Sequence, residues 1–139
     1  MEASSSREAG SRYGMASDLE IALYELFFNK EELLPLWLRL RPHIEGFGDD
    51  VRIKLHERYA EFARDGSEFA IAEPTSHHRM EIGLHNPGLP FDKRFREAVG
   101  FGSRRITHRV SVPENAEIDD ELHARLHDAY LLALEGEPS

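Results

Sequence analysis

The sequence predicts an α+β domain: an antiparallel sheet of about five short strands, with two N-terminal helices and one C-terminal helix packed on one face. Three observations point there. Apolar residues recur at helical spacing before residue 46 and again after residue 119. Between those limits the period falls to two, in short runs separated by turn residues. The runs follow one another through short connections, which suit antiparallel neighbours better than crossovers.

The first helix is expected to open at Ser17, an N-cap residue, with Asp18 and Glu20 at the positive end of its dipole. Leu19, Leu23, Leu26 and Phe27 form its apolar stripe, and Asn29 and Lys30 end it. A second helix is expected over Leu34–Glu45, with Pro35 in its first turn and Gly46 and Gly48 beyond its end. Pro42, inside it, should bend or shorten it. Val51, Ile53 and Leu55 alternate with Arg52 and Lys54 as a half-buried strand. Runs at Tyr59–Ala63 and Phe69–Ala72 flank Asp65-Gly66, a hairpin signal. Met80, Ile82 and Leu84 make a fourth strand. Ile106, His108, Val110 and Val112 form the apolar side of a fifth. Asp119, Asp120 and Glu121 open the last helix, whose buried face is Leu122, Leu126, Ala129, Tyr130 and Ala133.

Composition bounds the rest. A chain of 139 residues with 40% hydrophobic and 31% charged residues reads as one globular domain. We place that domain at 17–135, with a disordered Ser/Gly-rich tail at 1–16 and a short tail at 136–139. With no cysteine there is no disulfide framework, thiolate metal site or thiol nucleophile. No apolar run approaches the roughly 20 residues that span a bilayer, so a cytoplasmic protein without a membrane role is expected. A net charge of −9 argues against general nucleic-acid binding, which needs a surplus of Lys and Arg.

Several ordered runs resemble a known family. They are Gly48-Asp49-Asp50-Val51, Tyr59-Ala60-Glu61-Phe62, Phe69-Ala70-Ile71-Ala72-Glu73-Pro74, Arg79-Met80-Glu81-Ile82-Gly83-Leu84, Thr107-His108-Arg109-Val110, and Ile118-Asp119-Asp120-Glu121-Leu122 with Ala129-Tyr130. Together they resemble a bacterial domain-of-unknown-function family over about Leu19 to Leu134. The resemblance implies a domain that often follows a second, uncharacterised helical domain, here read as standing alone. It implies no activity. His108 falls at a matching family position without an assigned role.

The chemistry-bearing stretch is Asn86 to Arg109. It carries Lys93, Arg94, Arg96, Arg104, Arg105 and Arg109 against Asp92 and Glu97, a local surplus of +4 that leaves −13 for the rest. Arginine forks bind carboxylate and phosphate in bidentate geometry. Arg79, Arg94, Arg104 and Arg109 are therefore read as an anion-binding lip, beside an inward-turned His108. The bland alternative is a solvated loop whose arginines pair with acidic neighbours. For His108 it is a core histidine satisfied by a carbonyl or carboxylate. Two histidine groups have the side chains to chelate a divalent ion: His77-His78 with His85 and His108, and Asp120 with His123 and His127 on one helix face. Neither has a specific spacing signature, so no metal site is assigned. No phosphate loop, nucleophile elbow or dinucleotide fingerprint occurs, and no cofactor is assigned. Glu73, Glu81 and Asp92 would act as bases only if buried beside a partner. Phe47, Phe91 and Phe95 are candidates for a pocket wall.

The expected function is a binding or interaction module for a small anionic ligand or an acidic segment of a protein partner. Two alternatives stand beside it. One is a structural domain that forms a homodimer or larger homo-oligomer. The other is a small enzyme with His108 as acid/base and Arg104 or Arg109 stabilising charge.

Overall fold

The structure, a computed structural model, describes residues 14–135. Helix α1 spans Gly14–Leu26, a single 3-10 turn covers Glu31–Leu33, and α2 spans Leu34–Glu45. Six strands follow: β1 Val51–Leu55, β2 Ala60–Arg64, β3 Ser67–Pro74, β4 Arg79–Leu84, β5 Arg96–Glu97 and β6 His108–Pro113. Helix α3, Asp120–Leu132, ends the order. The sheet is antiparallel throughout, in the order β1-β2-β3-β4-β6-β5. The α+β class holds, with six strands rather than five.

Helix α1 is already under way at Ser17, so that residue is inside the helix and not its N-cap. The tail expected at 1–16 lies, but for residues 14–16, outside the described residues, as does 136–139. Of the expected stripe, Leu26 and Phe27 are buried and Leu23 packs on the core; the Leu19 side chain is outside the description. Asn29 ends the turn after α1 at φ 60°, a left-handed position that Asn tolerates. Pro42 lies within α2 without shortening it, because the helix keeps the Gly46 N–H to Pro42 carbonyl bond at 3.0 Å. Asp119 caps α3, its carboxylate accepting from the Leu122 N–H at 2.9 Å.

All three helices cover one face of the sheet. Leu36, Trp37, Leu40 and Ile44 of α2 and Leu122, Leu126, Ala129 and Tyr130 of α3 share one core with Ala60, Phe62, Ala72, Met80, Ile82, Leu84, Val110 and Val112. Asp65 and Gly66 both take positive φ, 48° and 84°, which gives the two-residue primed turn expected between β2 and β3. One residue of β3 breaks the alternation. Phe62 pairs with Ala70 and Ala63 with Glu68, so Phe69 is a bulge. Phe69 and Ala70 therefore both face the helices, and Phe69 meets the Tyr130 ring edge-on at 5.7 Å.

Candidate functional site

Strand alternation fixes what the uncovered face carries. With Met80, Ile82 and Val110 turned to the helices, Glu81, Gly83, Arg109 and Ser111 lie on the other side. The chain between β5 and β6 folds back over this face. There Phe101, Ile106 and Ile71 form a second buried cluster, with Tyr59 and Ala98 against it. Gly83 makes the approach possible: a Cβ there would lie 2.7 Å from Ile106 Cγ2, 2.8 Å from Ile71 Cγ1 and 3.0 Å from Phe101 Cε2. Gly100 and Gly102, at φ 67° and 74°, turn the loop back on itself.

Beside this cluster is a hollow of roughly 570 Å³, lined by Arg58, Tyr59, Glu73, Phe101, Ser103 and Arg109 among others. Arg109 is held on two sides. Its guanidinium carbon is 4.3 Å from the Phe101 ring centroid, and its Nε donates to Glu81 Oε1 at 2.9 Å. The same Glu81 oxygen accepts from Arg96 Nη2 at 3.2 Å, which neutralises a carboxylate only 6% exposed. The two Nη groups of Arg109 have no protein partner among the described residues. Arg58 is exposed and likewise unpaired, and half-buried Glu73 has no hydrogen-bond partner there. Burial raises the Tyr59 phenol above its ordinary pKa, and Glu68, Glu61 and Glu73 add to the effect. Ser103 donates to Glu68, tying the loop to β3. Two guanidinium groups, one carboxylate and an aromatic wall can thus orient a ligand with an anionic group and a flat apolar part.

The structure divides the residues singled out from sequence. Arg79 and Arg109 share the uncovered face; Arg79 donates to Ser111 Oγ at 3.0 Å. Arg104 is exposed on the loop over that face and has no partner among the described residues. Arg94 is elsewhere, clamped on the start of α3 by Asp119 at 2.8 Å and Glu121 at 2.6 Å. His108 does not stand beside the arginines. Adjacent strand residues point to opposite faces, so it lies under the helices, 1% exposed. Its Nε2 donates to the Leu89 carbonyl at 2.8 Å, and its Nδ1 is 2.7 Å from Thr107 Oγ1. No carboxylate among the described residues is hydrogen-bonded to it. Ile106, expected on the same side as His108, instead precedes β6 and joins the opposite cluster. Glu81 is buried but ion-paired, and Phe95 is core.

Sequence reasoning missed Arg58, Tyr59, Phe101 and Ser103 as lining residues. One signal was present: an isolated glycine inside the β4 pattern, Gly83, marks a close approach by another segment.

A family model described as a domain of unknown function, DUF5655, matches residues 25–133. The chain belongs to the DUF5655 family. No curated protein and no solved structure matches it. The DUF5655 match takes in the whole sheet, the folded-back loop and every residue named above as lining the hollow.

A second concavity in this DUF5655 domain lies between the ends of α2 and α3. It encloses roughly 510 Å³ and is lined by Pro42, His43, Gly46, Phe47, His123 and His127. Phe47 stands 5.3 Å from the His123 ring and 5.0 Å from the His127 ring, so it is a wall as expected. His123 and His127 are half-buried against it. Burial, and then the charge of His123, hold the His43 pKa below its usual value. Among the described residues no three His, Asp or Glu side chains come together to hold a metal ion. His78 pairs with Glu114 and His85 with the Arg105 carbonyl, so the first histidine group does not converge. No helix of the described residues is long and apolar enough to cross a membrane.

Proposed function

We propose that this domain is a binding module whose hollow, on the uncovered face of the sheet, takes a small ligand with a phosphate or carboxylate group. The observation that supports the reading is Arg109, pre-oriented by Phe101 and Glu81 with its outer donors unspent, in a hollow that Arg58 also lines. A guanidinium held in one orientation loses little freedom on binding, and its fork matches an oxyanion. Glu73 adds an acceptor for a donor on the same ligand. Arg79 and Arg104 extend the positive charge around the rim. His108 takes no part, since both ring nitrogens are engaged within the core. The cytoplasm is the proposed setting, which cell fractionation would test.

The test is a thermal-shift screen with inorganic phosphate, nucleotides and small carboxylates, using Arg58→Ala as the diagnostic variant because Arg58 is exposed and unpaired. An anion should raise the melting temperature of wild type and not of Arg58→Ala, while Arg94→Ala, altered away from the hollow, keeps the shift. No shift with any anion, or an equal shift in Arg58→Ala, would end this reading.

One observation favours self-association as a second reading. Ile21, Tyr24 and Phe28 are 56%, 69% and 62% exposed, on and just beyond α1. A mass that rises with concentration, and falls in Tyr24→Glu, would support it.

A further inference from the structure

The hollow between α2 and α3 contains a side-chain pair that the binding reading does not use. His43 Nδ1 and His123 Nδ1 are 2.8 Å apart, from residues eighty positions apart in the chain. The rings meet nearly head-on, with centroids 5.0 Å apart and planes at 67°. Neither ring has another hydrogen-bond partner among the described residues. Elsewhere in the molecule each histidine that bonds does so to a carbonyl, a carboxylate or a hydroxyl. Here two imidazoles are each other's sole partner, and the gap between them opens onto solvent-accessible space.

We propose that His43 and His123 are a two-nitrogen site for a late divalent transition metal, with Cu²⁺ the ion it suits best. Two nitrogens bound at about 2.0 Å and at a right angle lie about 2.8 Å apart, which is the tetragonal geometry of Cu²⁺. The observed separation already has that value, so binding turns the two rings toward a common point without moving the helices apart. The proton now between the rings moves to Nε2 of the ring that carries it. Both rings then present a bare Nδ1, and no proton is released. The roughly 510 Å³ of open space leaves room for the water molecules that complete the metal's coordination. No third His, Asp or Glu side chain joins the pair among the described residues, so His127, packed on Phe47, is not a ligand. Cu²⁺ heads the affinity order of the divalent first-row ions for nitrogen sites. Two ligands from two separate helices also make the ion a cross-link between α2 and α3.

The test uses untagged protein titrated with CuCl2. One equivalent should bind, with an electron paramagnetic resonance spectrum showing coupling to two ring nitrogens. His43→Ala and His123→Ala should each weaken binding about tenfold or more, since losing a ligand costs at least what losing an outer-shell partner does. His127→Ala and His85→Gln should bind as wild type. Should either alanine variant fail to fold, substoichiometric Cu²⁺ added to wild type should broaden the His43 and His123 proton resonances before those of the other histidines. No binding, equal binding by the two alanine variants, or broadening that starts at other histidines would overturn the assignment.

Discussion

Replacing Gly83 by alanine is the sharpest probe of the uncovered face. The new methyl group would lie 2.7 Å from Ile106 Cγ2, 2.8 Å from Ile71 Cγ1 and 3.0 Å from Phe101 Cε2. None of these atoms is the free end of a long chain, and all three belong to one small buried cluster. Each neighbour must retreat by several tenths of an ångström, or the loop over 98–106 must lift. Overpacking of this kind costs about 1–3 kcal/mol. Alanine returns about 0.5–1 kcal/mol in backbone entropy relative to glycine within a strand. The net expectation is a loss of about 1–2 kcal/mol, or about 3–8 °C in melting temperature for a domain of this size. Urea unfolding followed by fluorescence of Trp37, the one tryptophan and a core residue, measures it. Tryptic cleavage after Arg104 should also become faster as the loop loosens. Combining Gly83→Ala with Ile106→Ala should cost less than the sum of the two, because the second change removes the clash. An unchanged urea midpoint and an unchanged cleavage rate would refute the claim that Gly83 seats the loop.

Two further expectations concern the covered side. His108→Leu should cost about 1–3 kcal/mol, because it takes the ring donor from the half-buried Leu89 carbonyl and removes the Thr107 contact, leaving the Thr107 hydroxyl its bonds with the Leu84 carbonyl and the Asn86 N–H; urea midpoints would show this, with anion binding at the opposite face unchanged. Asp119→Ala should cost about 0.5–2 kcal/mol through the lost N-cap. The Leu122 N–H, with Arg94 behind it, outweighs burial and holds the Asp119 pKa below 3.8. The carboxylate's contribution is therefore complete above pH 3.8 and lost as pH falls through the lower folded value. Asp119→Asn, which keeps a capping oxygen, should flatten that acid limb in melting curves taken from pH 5 to pH 2.

Regular elements were legible because their periods are local. Leu34–Glu45 and Val51–Leu55 match the expected bounds, and Asp65-Gly66 announces its turn. β5 carried no signal: two exposed residues, Arg96 and Glu97, form a strand only because β6 offers them an edge. The arginine surplus over 86–109 was real but does not gather at one place. Arg94 goes to α3, Arg96 and Arg109 share Glu81, and Arg105 donates to the Glu68 and Ala133 carbonyls. Summing charge along a stretch ignores the directions in which a turning chain sends its side chains. The separation of His108 from Arg109 was legible, since neighbours in a strand without a bulge point to opposite faces. The hollow was not, because its lining comes from four segments that meet only in the folded sheet.

The bulge at Phe69 has a consequence for how this chain tolerates length changes. Between Ser67 and Ala72 the third strand has one residue more than the partner stretch Ala60–Arg64. Removing Phe69 alone would leave Glu68 opposite Ala63 and Ala70 opposite Phe62, with the pairing to the fourth strand intact. A one-residue deletion, which in most strands turns the following side chains inside out, would here keep inward residues inward and outward residues outward. What disappears is the sheet's aromatic ring that meets Tyr130 of the last helix edge-on. At this position the chain can be shortened without scrambling the sheet, and the penalty falls on the grip between sheet and helix.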